Sequence, residues 1–169
     1  SPWLVQIAHE LQERLPRVLE GMTLSNMWAY KFDSDTSMDG IAVHADHAAV
    51  NLNFWVTPDE ANLDPSSGGL VYPKAPPAEA EVSGDSSRKK VDMSKWNNDG
   101  NTATIESWLK DEGVYDRAVT VPYRQNRVVV FDSRLLHRSD RFLFKEGYEN
   151  RSRINLTFFF SPASPVEKL

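Results

Sequence analysis

The chain has 169 residues, enough for one domain with a buried core, and 40% hydrophobic, 25% charged and 11% aromatic residues, the make-up of an ordinary globular protein. It has no cysteine, which excludes disulfides, thiolate-bound zinc, iron–sulfur clusters and a cysteine nucleophile; any metal site must come from Asp, Glu and four His. The net charge of −5 is uneven, with 9 Lys/Arg against 19 Asp/Glu in residues 1–116 and 9 against 4 in residues 117–153.

The acidic front argues against nucleic-acid binding, which needs a broad basic face. The basic segment reads either as a solvated surface or as a host for a small anion. No apolar run approaches the roughly 20 residues of a membrane-spanning helix, so no membrane is expected as a partner. A cytoplasmic location is the default expectation without cysteines. Ser1-Pro2-Trp3 does not read as a signal peptide, and the missing initiator Met is expected of a processed or excised fragment.

In chain order, Ser1 as cap, Pro2 in the first turn and Leu4, Ile7, Leu11 and Leu15 at helical spacing predict a helical segment over residues 1–21, stopped by Gly21. His9 falls on it, at an exposed position. The period then changes, and residues 27–32 predict a strand with Trp28, Tyr30 and Phe32 on one face. After an acidic turn over 33–40, residues 41–43 read as a short strand leading into His44-Ala45-Asp46-His47. Residues 50–56 alternate, Leu52, Phe54 and Val56 on one face and Asn51, Asn53 and Trp55 on the other, until Pro58 ends the strand. Ser66-Ser67-Gly68-Gly69 predicts a turn before a short strand over 70–72.

Residues 73–103 show no period and read as a lid or insertion loop. Thr104 would cap a short helix through Ile105, Trp108 and Leu109, closed by Gly113, and strands are expected over 118–121, 127–131 and 153–160. Without repeats or a second domain, the pattern predicts a single domain over 1–169, mainly β with flanking helices, as a sandwich or barrel with its core over 27–160.

On an extended backbone His44 and Asp46 leave the same face and can meet one ion. Imidazole with carboxylate suits a divalent transition metal, and two His with one carboxylate leave positions open for co-substrate and O₂ at Fe(II). His137, closing the apolar run Val128-Val129-Val130-Phe131-Asp132-Ser133-Arg134-Leu135-Leu136, is the candidate third ligand. Arg153, Asn155 and Thr157 share one face of the last strand. An Arg opening an apolar strand points to an anion, because a buried guanidinium is costly unless paired and its fork fits a carboxylate. An internal salt bridge or a place at the exposed mouth would explain it equally. Arg151 is its rival. His47, one residue from Asp46, points to the opposite face and is read as non-ligating.

The ordered set His44-x-Asp46, His137 after Val-Phe-Asp-Ser, and Arg153-x-Asn155 resembles the Fe(II)/2-oxoglutarate-dependent oxygenase superfamily over about residues 27–160. The Arg-x-Asn-Leu-Thr-Phe phrase is similar to that of its DNA-repair demethylases, but the second arginine of that strand would fall at Phe159, so nothing supports a nucleobase substrate. Ala-Val-Asn-Leu-Asn-Phe-Trp after the His-x-Asp is similar to small bacterial members.

The resemblance implies a double-stranded β-helix (jelly-roll, cupin-like) holding Fe(II) on His44, Asp46 and His137. It further implies that 2-oxoglutarate is anchored at Arg153 beside Asn155 and Tyr30, and is converted with O₂ to succinate and CO₂. An organic substrate, a small molecule or a side chain, would be hydroxylated or oxidatively demethylated; with Asp46 present, halogenation is not expected. Asn51, Asn53 and Trp55 are candidates for the substrate pocket, or for a solvated face. Two other readings stand beside this one: a cupin-like metalloenzyme without 2-oxoglutarate, and a non-catalytic jelly-roll module stacking a ligand on Trp28, Trp55 and Trp96.

Overall fold

The computed structural model describes residues 2–32, 40–72, 107, 109–111, 113, 118–145 and 152–163. The expectations for Ser1, the acidic turn, the loop over 73–103 with Trp96, Thr104, Ile105, Trp108 and Arg151 lie outside these residues.

Two helices open the described chain, α1 (Pro2–Arg14) and α2 (Pro16–Leu19). The single helical segment expected to Gly21 is therefore interrupted. Pro16 cannot donate a backbone hydrogen bond and crowds the preceding turn, so the chain restarts there. Gly21 then turns the chain into the first strand at φ 71°, a left-handed conformation that side-chain-bearing residues adopt at a cost.

Seven strands follow: β1 (Met22–Phe32), β2 (Val50–Trp55), β3 (Leu70–Tyr72), β4 (Val119–Val121), β5 (Val128–Asp132), β6 (Arg138–Ser139) and β7 (Arg153–Pro162). They form two antiparallel sheets, one ordered β1-β7-β2-β5 and the other β4-β3-β6. Two sheets packed face to face with flanking helices make the jelly-roll, cupin-like fold. β1 begins five positions before its expected start, because Met22 and Leu24 pack on the helices and pair with the end of β7. Residues 41–43, expected as a strand, are none; only an isolated bridge joins His44 to His137. Residues 107 and 109–111 are helical, as expected of the segment closed by Gly113.

The two faces of β2 and β7 have different work. Outward, Val50, Leu52, Phe158 and Phe160 pack with Ala8 and Leu19 of the helices, joined by Ile7, Leu11 and Leu15. The i, i+4 spacing that predicted the helix is the stripe that covers this sheet. Inward, a second core of Trp55, Ala61, Leu70, Tyr123, Phe142 and Phe144 fills the space between the sheets. Trp55 stacks on Tyr123, ring centroids 5.3 Å apart.

Leu52 has no exposed surface, and Leu52→Ala is expected to lower stability by about 2–5 kcal/mol, read from the urea midpoint at unchanged m-value. Gly69 is tighter still: a Cβ there would lie 1.8 Å from the Val121 carbonyl oxygen and 2.9 Å from the Pro122 carbonyl carbon, both backbone atoms that cannot rotate away. Gly69→Ala is expected to cost more than Leu52→Ala, on the order of 4 kcal/mol or above, in the same denaturation experiment.

Candidate metal centre

The site begins with backbone pairing. His44 N–H donates to the His137 carbonyl and His137 N–H to the His44 carbonyl, both at 2.9 Å, while Asp46 N–H donates to the Ser133 carbonyl at 2.8 Å. A short antiparallel register between two loops thus places His44, Asp46 and His137 together, with one candidate ligand atom from each within 4.8 Å of the others. The imidazole rings tilt over one another at 4.3 Å between centroids.

The outer ring nitrogens fix the tautomers. His44 Nδ1 lies 2.7 Å from the Ala42 carbonyl oxygen, and His137 Nδ1 lies 2.9 Å from that of Leu135. A carbonyl only accepts, so each Nδ1 carries the hydrogen and each Nε2 turns a lone pair inward. Those lone pairs meet a carboxylate: His44 Nε2 is 3.7 Å from Asp46 Oδ1, and His137 Nε2 is 3.3 Å from Asp46 Oδ2. Three electron-pair donors converging in this way call for a shared cation, and the donor set fits a divalent transition metal.

The electrostatics keep the donors ready. Burial, reinforced by the neighbouring His137, holds the His44 imidazole below its ordinary value and so favours the neutral, ligating form. Burial alone would push the Asp46 carboxyl up, but its polar neighbours, the hydrogen bond from Asn51 among them, outweigh it. The net displacement is downward.

Beside the triad opens a cavity of about 290 Å³. One wall runs from Asp46 past Asn51, Asn53, Thr157 and Asn155 to Arg153, and Trp28, Tyr30, Ile41, Leu70 and Ser139 complete it. In register, β1 sets Trp28 beside Thr157, Tyr30 beside Asn155 and Phe32 beside Arg153.

Arg153 is 1% exposed. Its Nε donates to the Gly68 carbonyl at 2.8 Å, Nη2 to that of Gly69 at 3.4 Å and Nη1 to Asn155 Oδ1 at 3.2 Å. Phe32 and Phe142 face the guanidinium carbon, with ring centroids 5.3 and 5.4 Å away. Burial lowers its pKa to about 10, so it remains a cation at neutral pH. Among the described residues no carboxylate forms an ion pair with it. Among the described residues three of its five N–H bonds are donated.

The predicted residues divide as follows. His44, Asp46 and His137 are brought together, and Arg153, Asn155, Asn51, Asn53 and Tyr30 line the same cavity. Tyr30, 40% exposed, sits at its rim and not in the core, stacked on Phe32 at 5.8 Å. Trp55 is not brought to the cavity. It is 0% exposed and belongs to the second core, because it lies at the end of β2 remote from Asn51. His47 is exposed and outside the triad, and His9 is exposed on α1.

Sequence reasoning did not find the Gly68 and Gly69 carbonyls or the Phe32 and Phe142 rings around Arg153. The Gly-Gly pair was the available signal: it reads as a turn, yet Gly69 is also where two backbones meet. Asn51 and Asn53 line the cavity, and their amides are in addition committed to Asp46 and to each other, a pairing that sequence reasoning did not find.

No protein-family model and no curated protein matches the chain. Among solved structures, apo HygX from Streptomyces hygroscopicus aligns with a TM-score of 0.54 at 15% identity, over 96% of this chain and 68% of that one. HygX with iron bound aligns with the same values. The likeness is one of fold. No helix among the described residues is long and apolar enough to cross a membrane. The chain is a jelly-roll, cupin-like protein with a His-Asp-His candidate metal site at one end of its cavity.

Proposed function

We propose that the chain is an Fe(II)- and 2-oxoglutarate-dependent dioxygenase. The observation that carries this reading is one cavity with two complementary ends. At one end three lone-pair donors converge; at the other a buried guanidinium has, among the described residues, acceptors for only three of its five N–H bonds. A molecule bearing a metal-chelating group at one terminus and a carboxylate at the other satisfies both ends at once, and 2-oxoglutarate has that form. The iron bound by HygX, on a shared fold, adds support for the metal.

In this reading His44, Asp46 and His137 hold the ion on one side and leave its other positions to ligands. Ferrous iron held there would activate O₂, with 2-oxoglutarate supplying two electrons as it loses CO₂ and takes one oxygen atom into succinate, and the organic substrate supplying the other two. Arg153 takes the distal carboxylate through its two remaining N–H bonds, while Gly68, Gly69 and Asn155 hold its fork still. The Phe32 and Phe142 rings keep water from that ion pair and so strengthen it. Trp28 and Tyr30 sit where the substrate enters. Asp46 fills the position that a halide would need, so hydroxylation or oxidative demethylation of a small molecule or a side chain is the reaction proposed.

The test is an anaerobic titration of metal-free protein with Fe(II) and then 2-oxoglutarate, following the visible charge-transfer absorption of the chelate. The band is expected in the parent, weakened at least tenfold in apparent 2-oxoglutarate affinity by Arg153→Ala, and lost in His137→Ala. Iron binding without the band would leave a metalloenzyme that does not use 2-oxoglutarate; a folded protein that binds no iron would leave a binding module.

A further inference from the structure

The polar residues between Asp46 and Arg153 form one continuous ladder. Asn51 Nδ2 donates to Asp46 Oδ2 at 2.6 Å, and Asn53 Nδ2 donates to Asn51 Oδ1 at 3.0 Å. Asn53 Oδ1 in turn accepts from Thr157 Oγ1 at 3.0 Å and from Asn155 Nδ2 at 3.3 Å. Asn155 Oδ1 accepts from Arg153 Nη1 at 3.2 Å. Every residue of the ladder is buried: Asn51 1%, Asn53 6%, Asn155 4%, Thr157 4% and Arg153 1% exposed.

Its polarity is dictated from both ends. A carboxylate only accepts, so Asn51 must turn its NH₂ to Asp46 and its carbonyl to Asn53. The same rule then orients Asn53 and Asn155. From the other end, a guanidinium only donates, so Asn155 must turn its carbonyl to Arg153 and its NH₂ onward. The two derivations agree at every amide, which leaves one consistent arrangement: a head-to-tail row of dipoles with a cation behind it and a carboxylate before it.

We infer that Asn51 is the positioning residue of the metal centre, resting on the metal reading above. It donates to Asp46 Oδ2 at 2.6 Å and so fixes the rotation of the carboxylate, with Oδ1 turned to His44 Nε2 and Oδ2 to His137 Nε2. The rest of the ladder fixes the Asn51 amide in that orientation. A carboxylate free to swing would lose the orientation in which it meets both imidazoles. Asn51 acts through Asp46.

The test uses Co(II) as the probe, since its visible absorption reports coordination number and it binds without turnover. Asn51→Leu keeps the volume and removes the donor. It is expected to weaken Co(II) and Fe(II) binding about 10–100-fold, the usual effect of losing a partner of a metal ligand. The intensity and position of the Co(II) bands should change as Asp46 loses the orientation that Asn51 holds. Asn51→Ser, a milder change too short to span the contact, is expected to act in the same direction, which keeps the test open if Asn51→Leu does not fold. Thr157→Val, removing one of the two donors to Asn53, should give a smaller loss. A merely structural Asn51 would lower the melting temperature and leave Co(II) affinity and spectrum as in the parent; that outcome overturns the inference. A folded parent that binds neither ion instead overturns the metal reading beneath it.

Discussion

The reciprocal hydrogen bonds between the His44 and His137 backbones are the constraint on which the site depends. They join two segments far apart in the chain, and they do so with main-chain groups whose geometry no side chain can alter. Asp46 N–H to the Ser133 carbonyl sets the register, so the three candidate ligands arrive together without any of them needing to hold the others. The side chains then have one degree of freedom each to settle, and the Ala42 and Leu135 carbonyls settle it for the two imidazoles. Both carbonyls lie two residues before their histidines, so the same local backbone path orients both rings.

The second constraint is a cation kept out of water. A buried guanidinium costs several kcal/mol unless its N–H bonds and its charge are answered. Around Arg153, among the described residues, N–H bonds are answered by two turn carbonyls and one amide, and the charge is met by aromatic faces and at longer range by Asp140, with no carboxylate in ion-pair contact. In the proposed reading an anion from outside completes that pairing. Gly69 serves both this and the sheet: its lack of a Cβ lets its backbone pass against Val121 and Pro122, and its carbonyl meets the guanidinium.

How much of this was legible varied with the range of the interaction. The helix stripe, the alternating strands and the i, i+2 relation of His44 to Asp46 are local, and period alone exposes them. His137 and Arg153 stand out in the sequence because chemistry narrows the choice: four histidines and one arginine opening an apolar strand. What was missed depends on contacts between distant backbones. Residues 41–43 look like a strand but form no ladder: the pairing consists of the His44–His137 bridge and one further bond, from Ser139 N–H to the Ile41 carbonyl. Trp55 shares a face with Asn51 and Asn53, and strand alternation says nothing about depth; position along β2 sends it into the second core. Pro16 did carry a readable signal for the break in the leading helix, since a residue without an N–H cannot continue the ladder.

Depth along β2 and β7 also explains why a row of amides sits where an all-β protein ordinarily places valine. Both strands are covered outside by the helices and inside by the opposite sheet, so polar groups on the inner face have no water to fall back on. In that setting a half-satisfied amide is worse than none. Asn51, Asn53 and Asn155 are tolerable because each carbonyl and each NH₂ in the row has a partner, and because a carboxylate and a guanidinium stand at its two ends. Remove either charged end and the adjoining amide loses the partner that fixes its direction. The polar ladder and the two ends of the cavity are thus one structure: the Asp46 carboxylate and the Arg153 guanidinium are held by the same buried row, which makes the distance between them a property of the strands and not of mobile side chains.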